Sequence, residues 1–405
     1  MPTLLQINTV VNKSSTGHIA EEIGQLAINN GWKSYIAYGR YERPSKSTLI
    51  KIGNDFDVKL HGLQTRLFDR HGLASKNATK KLIEQIKKIQ PDVIHLHNLH
   101  GYYVNIEILF NFLTIENIPV VWTLHDCWPI TGHCSHFDYV GCEKWKTECY
   151  SCPQKKMYPA SFLFDNSRQN YSLKKQLFTS VKDMALVPVS NWMADILKQS
   201  FLQKYPIEII HNGINLSQFK PANGEHIKNK YQLENKFIIL GVASVWKERK
   251  GLKDFVELSI SLDKNFQIVL VGLSAHQIKS LPENIIGINK TENVEELVRI
   301  YSIADVFVNP TWEDTFPTTN VESLACGTPV ITYKTGGSPE AIDATVGIVV
   351  EKGNINGLVQ AVKHVQKRGN KYYTNACVER VRQFYNKDDQ YKDYLNLYNK
   401  LLHND

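Results

Sequence analysis

The sequence predicts two doubly wound α/β domains, and three observations predict them. Short apolar runs alternate with helix-like segments almost to the C-terminus. The runs are continuously apolar rather than alternating, as in parallel strands covered on both faces. The whole pattern also occurs twice. In the first half, strands are expected at 4–10, 34–38, 92–97, 119–124 and 185–189. In the second they are expected at 237–242, 267–271, 285–288, 306–308 and 329–332. Each set is interleaved with helical segments, such as 18–30 and 80–89, then 252–261, 294–303 and 319–326. Strands alternating with helices give parallel sheets. A helix at 192–199 closes the first half. Tyr205-Pro206 and His211-Asn212-Gly213 are turn signals after it, so the domains are expected over 1–205 and 206–385. The tail, 386–405, reads as a helix with Tyr391, Tyr394, Leu395, Leu397, Tyr398 and Leu401 on one broad face. That face could cap either domain, including by crossing back to the first.

Composition narrows the classes. At 405 residues, 42% hydrophobic and 21% charged, the chain has room for about two cores at roughly 100–200 residues per domain. It resembles neither a disordered nor a disulfide-stapled chain. No apolar stretch approaches the roughly 18 residues of a membrane helix. Met1-Pro2-Thr3 runs straight into a strand without a basic leader, so a cytoplasmic location is expected. A net charge of +7 suits phosphate-bearing ligands or an anionic membrane surface, and does not by itself indicate nucleic acid.

The most informative segment runs from Trp312 to Val330. It follows the strand at 306–308, opens a helix near Pro317 and ends it at Gly327. A helix N-terminus at the C-terminal edge of a parallel sheet presents unpaired N–H groups, here those of Thr318, Thr319 and Asn320. That arrangement binds phosphate. Glu322, about one turn further in, could accept hydrogen bonds from a ribose, or could be a polar residue on a partly exposed helix face.

This segment resembles the E-x7-E signature of the family-4 retaining glycosyltransferases, whose GT-B fold has two Rossmann-like domains facing across a cleft. Its Asp-Thr-Phe-Pro-Thr-Thr-Asn stretch is similar to that of bacterial capsule and colanic-acid-type enzymes. The resemblance implies that Glu322 holds the nucleotide ribose and that Phe316, Pro317, Thr318, Thr319 and Asn320 border the donor. The first Glu of the signature, which contacts the donor sugar in the family, falls on Asp314. This departure leaves Asp314 and its neighbour Glu313 as alternatives. Ser15-Thr16-Gly17-His18 resembles the family's glycine loop near the donor phosphates, and Gly17 permits close backbone approach. Asp92 to Asn98 looks like a second signature strand, with His95 and His97 read as core histidines.

Thr123-Leu124-His125-Asp126 brings His125 to the sheet edge, where related enzymes place a His against the sugar. A structural His–Asp pair is the alternative. His211-Asn212-Gly213 resembles an interdomain turn. Lys250-Gly251 matches the family's phosphate-contacting Lys-Gly pair. The family Arg position is occupied by Ser244 or Val245, so the second cation is sought in Arg249 or Lys247. Gly336-Gly337-Ser338-Pro339-Glu340 matches a loop lining the same site.

Five of seven cysteines, Cys127, Cys134, Cys142, Cys149 and Cys152, fall inside 26 residues. In a cytosolic protein this favours metal over disulfides. Cys134, Cys142, Cys149 and Cys152 form a candidate tetrahedral zinc site, with His133 and His136 as rival ligands and free thiols as the alternative. Trp128, Phe137, Tyr139 and Trp145 of this 127–152 insertion could stack on an acceptor sugar.

The resemblance therefore implies same-face sugar transfer from a nucleoside diphosphate donor, UDP- or GDP-linked, to a glycan or lipid-linked oligosaccharide. No catalytic cofactor and no nucleic acid are expected, and zinc would be structural. Peripheral membrane contact at the inner face is compatible with the charge. His125, Lys250, Asp314 and Glu322 are the residues expected to carry the chemistry. The alternatives are a GT-B sugar-nucleotide epimerase or phosphorylase, and a zinc-bearing nucleic-acid-binding protein.

Overall fold

The computed structural model describes residues 1–403 and forms two compact units. Unit 1 is Met1–His211 together with the chain from Tyr391 onward; unit 2 is Asn212–Gln390.

Unit 1 holds strands β1 (Thr3–Val10), β2 (Lys33–Tyr41), β3 (Thr48–Lys51), β4 (Val93–Leu96), β5 (Val120–Leu124) and β6 (Met184–Pro188). They lie in the order β3-β2-β1-β4-β5-β6, every neighbouring pair parallel. Unit 2 holds β7 (Phe237–Val242), β8 (Phe266–Val271), β9 (Ile285–Ile288), β10 (Val306–Asn309), β11 (Val330–Tyr333) and β12 (Gly347–Val350). Their order, β12-β11-β10-β7-β8-β9, is the same topology repeated. Strand order therefore reverses between β1 and β4, and again between β7 and β10. Ligands of open α/β sheets bind outside the strand C-termini at such switch points.

Central strands such as β4, β5 and β10 are buried along their whole length. This explains their unbroken apolar sequence. Edge strands β3 and β12, absent from the expected set, are short and partly exposed.

The unit boundary falls within the second turn signal, His211-Asn212-Gly213, rather than after 205, because 206–210 remain attached to β6. Leu186 N–H donates to the Pro206 carbonyl at 2.9 Å, and Glu208 N–H to the Leu186 carbonyl at 3.0 Å. Ile214 in turn pairs with Asn386, which keeps 386–390 in unit 2. The helix Lys387–His403 then contributes Tyr391, Tyr394, Leu395, Leu397 and Tyr398 to a unit 1 core with Leu4, Ile23, Val93 and Val121. Burying each such side chain contributes about 2 kcal/mol.

Candidate active site

In unit 2, the loops leaving β7 and β10 meet at the switch point. After β7, residues Glu248–Lys250 form a 3-10 turn that ends at Gly251, whose φ is +75°. A Cβ there would lie 2.2 Å from the Pro310 carbonyl oxygen, so glycine is required by both conformation and space. This close approach sets the Lys250 side chain against the β10 loop. Lys250 Nζ lies 2.5 Å from Asp314 Oδ2, and both side chains are largely buried. Of the two carboxylates left open by the sequence, Asp314 is the one that meets the cation.

Arg249 takes another role. Its guanidinium donates to the Glu313 carbonyl at 3.1 Å, while its own carbonyl accepts from Trp312 N–H at 2.8 Å. It ties the two loops together. Ser244 and Val245, the two positions at which the resemblance would place a cation, are both exposed just beyond the end of β7. The glycine loop closes the same corner, because Gly337 N–H donates to the Asp314 carbonyl at 3.1 Å and a Cβ on Gly336 would strike that oxygen.

The helix Thr318–Ala325 starts at this corner. Pro317 occupies its N-cap position without a side-chain cap, and no acidic residue lies in its first turn. The positive end of its dipole is thus uncompensated. Glu322 accepts from the Tyr301 hydroxyl at 3.0 Å. Removal from water raises its carboxyl above the ordinary value, partly offset by hydrogen bonds with Tyr301 and Thr318.

Two expected donor contacts are otherwise engaged. Phe316 is buried against Tyr385, with ring centroids 5.7 Å apart, so it packs the base of the loop. The backbone N–H of Asn320 already donates to the Pro317 carbonyl at 3.1 Å. Its fully buried amide accepts from Asn309 Nδ2 at 2.8 Å and donates to the Ser338 carbonyl and hydroxyl at 3.0 and 3.1 Å. Asn320 therefore locks the helix start to β10 and the glycine loop, leaving Thr318 and Thr319 at the helix mouth.

In unit 1, Gly17 lies in the first turn of the helix Ser14–Asn29 rather than in a loop. A Cβ there would stand 3.0 Å from Val10 Cγ2 and 3.2 Å from Asn12 N, so close packing on the β1 exit accounts for the glycine. His125 follows β5 and joins a chain that crosses the switch point. Gln6 Nε2 donates to the Ala20 carbonyl at 2.8 Å, which fixes its amide, and Gln6 Oε1 sits 3.0 Å from His97 Nε2. His97 Nδ1 lies 3.2 Å from His125 Nε2. An amide oxygen only accepts, so His97 Nε2 carries a proton. Burial drives the His97 pKa far down, leaving the ring neutral with Nδ1 as acceptor. His125 must then donate from Nε2. Its pKa is pushed to about 4 by burial, so its Nδ1 bears a lone pair at neutral pH. Neither Gln6 nor this tautomer order is visible in any local motif.

Asp126 pairs with His100 rather than with His125, at 2.5 Å. Burial opposes its ionisation, but His100 and the Trp128 N–H hold its pKa down to about 2. His95 is a core residue as expected, bonded to the Tyr398 hydroxyl at 2.6 Å and Thr123 Oγ1 at 2.7 Å. A Cβ on Gly213 would lie 2.4 Å from Lys387 Cα, in keeping with a structural turn.

The insertion differs more from expectation. Trp128, Phe137 and Trp145 are buried, the last two stacked on each other at 4.9 Å, so only Tyr139 is exposed for an acceptor. None of the seven cysteines is in a disulfide. Among the described residues, no three His, Cys, Asp or Glu side chains stand where they could hold an ion as placed.

Comparison with known proteins follows this geometry. Residues 18–218 match the model described as "Glycosyltransferase Family 4", and residues 236–368 the one described as "Glycosyl transferases group 1". The chain is 25% identical over 420 residues to WcaC of Escherichia coli (strain K12), a glycosyl transferase assigned to colanic acid biosynthesis. The match covers 98% of this chain and 100% of that one. A Campylobacter jejuni N,N'-diacetylbacillosaminyl-diphospho-undecaprenol alpha-1,3-N-acetylgalactosaminyltransferase is 26% identical over 58% of this chain and 64% of its own. Among solved structures, sucrose-phosphate synthase of Thermosynechococcus elongatus superposes with a TM-score of 0.73 at 16% identity, over 99% of each chain. Anabaena HepE, in complex with UDP and glucose, gives 0.68 at 12% identity, over 99% of this chain and 100% of that one.

Proposed function

Because the chain carries both domains and so belongs to the glycosyltransferases of this family, built on the GT-B fold, we propose that it transfers a sugar with retention from a nucleoside diphosphate donor. The acceptor is a glycan or lipid-linked oligosaccharide of polysaccharide biosynthesis. The observation that carries this reading is the corner of unit 2 at which Lys250, Asp314, the Thr318 helix start and Glu322 converge. Lys250 and the Thr318 and Thr319 amides would stabilise the diphosphate as its charge grows. Glu322 would accept from the ribose hydroxyls, and Asp314 would hold Lys250 in place and face the sugar. The bond from the anomeric carbon to the leaving phosphate breaks as the acceptor oxygen bonds on the same face. That phosphate oxygen takes the acceptor proton, so no protein nucleophile is invoked. His125 Nδ1 would accept a hydrogen bond from a sugar hydroxyl. A UDP-sugar is the first donor to test, because HepE is seen with UDP-glucose.

Membrane contact is part of the proposal, although no described helix is long and apolar enough to cross a membrane. Phe56, Leu60, Leu63 and Phe68 of the helix Asp55–Phe68 are exposed, as are Phe162, Leu163 and Phe164. The two segments are joined by Phe68–Phe164 stacking at 6.0 Å and by Phe162 N–H to the Arg66 carbonyl at 2.7 Å. Lys59, Arg66 and Lys156 are exposed beside them. Exposed apolar side chains with cations on the same segments, alongside the acidic Asp55 and Asp165, suit an anionic lipid surface, where a lipid-linked acceptor resides.

The test is turnover of UDP- and GDP-sugars with a lipid-linked acceptor extract, followed by NMR of the product anomer. Release of one nucleoside diphosphate with an anomer matching the donor supports the proposal; an inverted anomer refutes retention.

A further inference from the structure

The insertion from Cys127 to Asn166 is a long segment whose only regular structure is three single turns, Trp128–Ile130, Asp138–Val140 and Lys144–Lys146. Loops of this length in a compact domain generally need their own cross-link or core. A small space of about 20 Å³ lies inside it, lined by Cys134, Cys142, Cys149, Cys152 and His133 among others. It has room for one ion and none for an organic ligand.

Three features at this space point to a cation. The first is His133, whose Nδ1 lies 2.5 Å from Asp69 Oδ1, both side chains wholly buried. Its Nε2 is buried with no hydrogen-bond partner. Metal-ligating histidines are oriented in this way, one ring nitrogen on a carboxylate and the other offering its lone pair. An orphaned ring nitrogen is otherwise costly to bury. Second, two of the sulfurs are already served by backbone donors, Cys149 by Gly132 and Cys152 by Gln154. Donors of this kind orient a sulfur ligand from behind. Third, Lys174 is buried with its ammonium on the carbonyls of Trp128 and Thr131, at 2.7 and 3.0 Å, and 3.5 Å over the Trp128 ring. Burial disfavours that charge, and Cys149 and Cys134 lie close enough to interact with it. A buried ammonium wants a buried anion, and three thiolates on a divalent ion carry one net negative charge.

We propose that this pocket takes one zinc-type divalent ion, held by the thiolates of Cys134, Cys149 and Cys152 and by His133 Nε2. The set takes His133, the rival ligand named from the sequence, in place of Cys142, because its buried Nε2 has no partner. As placed, the side chains are not at cage spacing, and Cys134 and Cys152 share a hydrogen bond instead. Binding replaces that shared proton: each of the three thiols releases one proton, and the ion draws the sulfurs inward by side-chain rotation. The ion orders the insertion and takes no part in sugar transfer.

The test is metal analysis of the full chain, purified under reducing conditions without chelator. The expected result is one zinc per chain in the wild type and in Cys142→Ser, and its loss in Cys149→Ser, Cys152→Ser and His133→Asn. Should those variants fail to fold, the wild type serves alone. Stripped of metal and titrated with Co²⁺, it develops thiolate-to-cobalt absorption, and added Zn²⁺ lowers the number of thiols that react with Ellman's reagent. A native chain without metal, whose reduced form takes up neither ion, overturns the proposal. Zinc retained in His133→Asn, or lost in a folded Cys142→Ser, overturns the ligand set.

Discussion

Asn320 separates a structural from a ligand-binding role more sharply than any other residue of the unit 2 corner. Its side chain makes three buried hydrogen bonds, one to Asn309 and two to Ser338. Asn320→Ala removes all three, taking one donor from the Ser338 carbonyl and the acceptor from Asn309 Nδ2. At about 1 kcal/mol per bond, the loss is about 3 kcal/mol, or roughly 100-fold in the folding constant of unit 2. Urea unfolding followed by fluorescence, with unit 2 fitted as its own transition, reads this as a lower midpoint at unchanged slope. Nucleotide affinity, measured below that transition, weakens less than it does in Lys250→Met, because Asn320 acts by holding the helix start in place. A variant as stable as the wild type that had lost nucleotide binding would refute this reasoning and return Asn320 to direct contact with the ligand.

Other expectations follow from the same geometry. Gln6→Leu deprives His97 of its fixed acceptor and frees the His125 tautomer, so kcat/KM should fall roughly tenfold, with the protein still folded by circular dichroism. Since the His125 pKa is pushed to about 4, the wild-type rate should show no inflection from this residue between pH 5 and 8, whereas a step there lost in His125→Asn would count against a neutral ring. Burial raises the Glu322 carboxyl, and a ribose hydroxyl needs its ionised form; nucleotide affinity should therefore decline with falling pH sooner than an ordinary glutamate near about 4.3 would cause. Titration calorimetry should find that inflection absent from Glu322→Gln. Replacing Phe162, Leu163 and Phe164 by Ser should abolish flotation with anionic vesicles while leaving nucleotide binding intact.

Much of this architecture is legible in the residues themselves. Short apolar runs such as 120–124 and 306–308 read as strands of a sheet covered on both faces, and the helix at 318–325 is marked in the sequence by the proline before it and the glycine after it. What escapes is whatever depends on neighbours distant in sequence. Strands β3 and β12 lie at sheet edges, where half-exposure erases the apolar signature. Gly17 reads as a loop glycine, yet it is a helix residue packed closely on Val10 and Asn12. Gln6, His97 and His125 are each unremarkable locally, and only the parallel register of β1, β4 and β5 lines them up. Asp126 sits next to His125 in the chain but bonds to His100, because successive residues at a strand end point in different directions. Arg249, a candidate phosphate ligand by charge, is drawn to a loop carbonyl that sequence spacing does not reveal.

The central claim is that the β7 and β10 loops of unit 2 form a nucleoside diphosphate site. Thermal unfolding with UDP, GDP, ADP and CMP, for the wild type and for Lys250→Met, tests it most directly. At a ligand concentration 100 times its dissociation constant the stabilisation is about 2.7 kcal/mol. The account predicts a shift with UDP or GDP that Lys250→Met largely loses and that CMP does not produce. No shift with any diphosphate, or an equal shift in the variant, would contradict it.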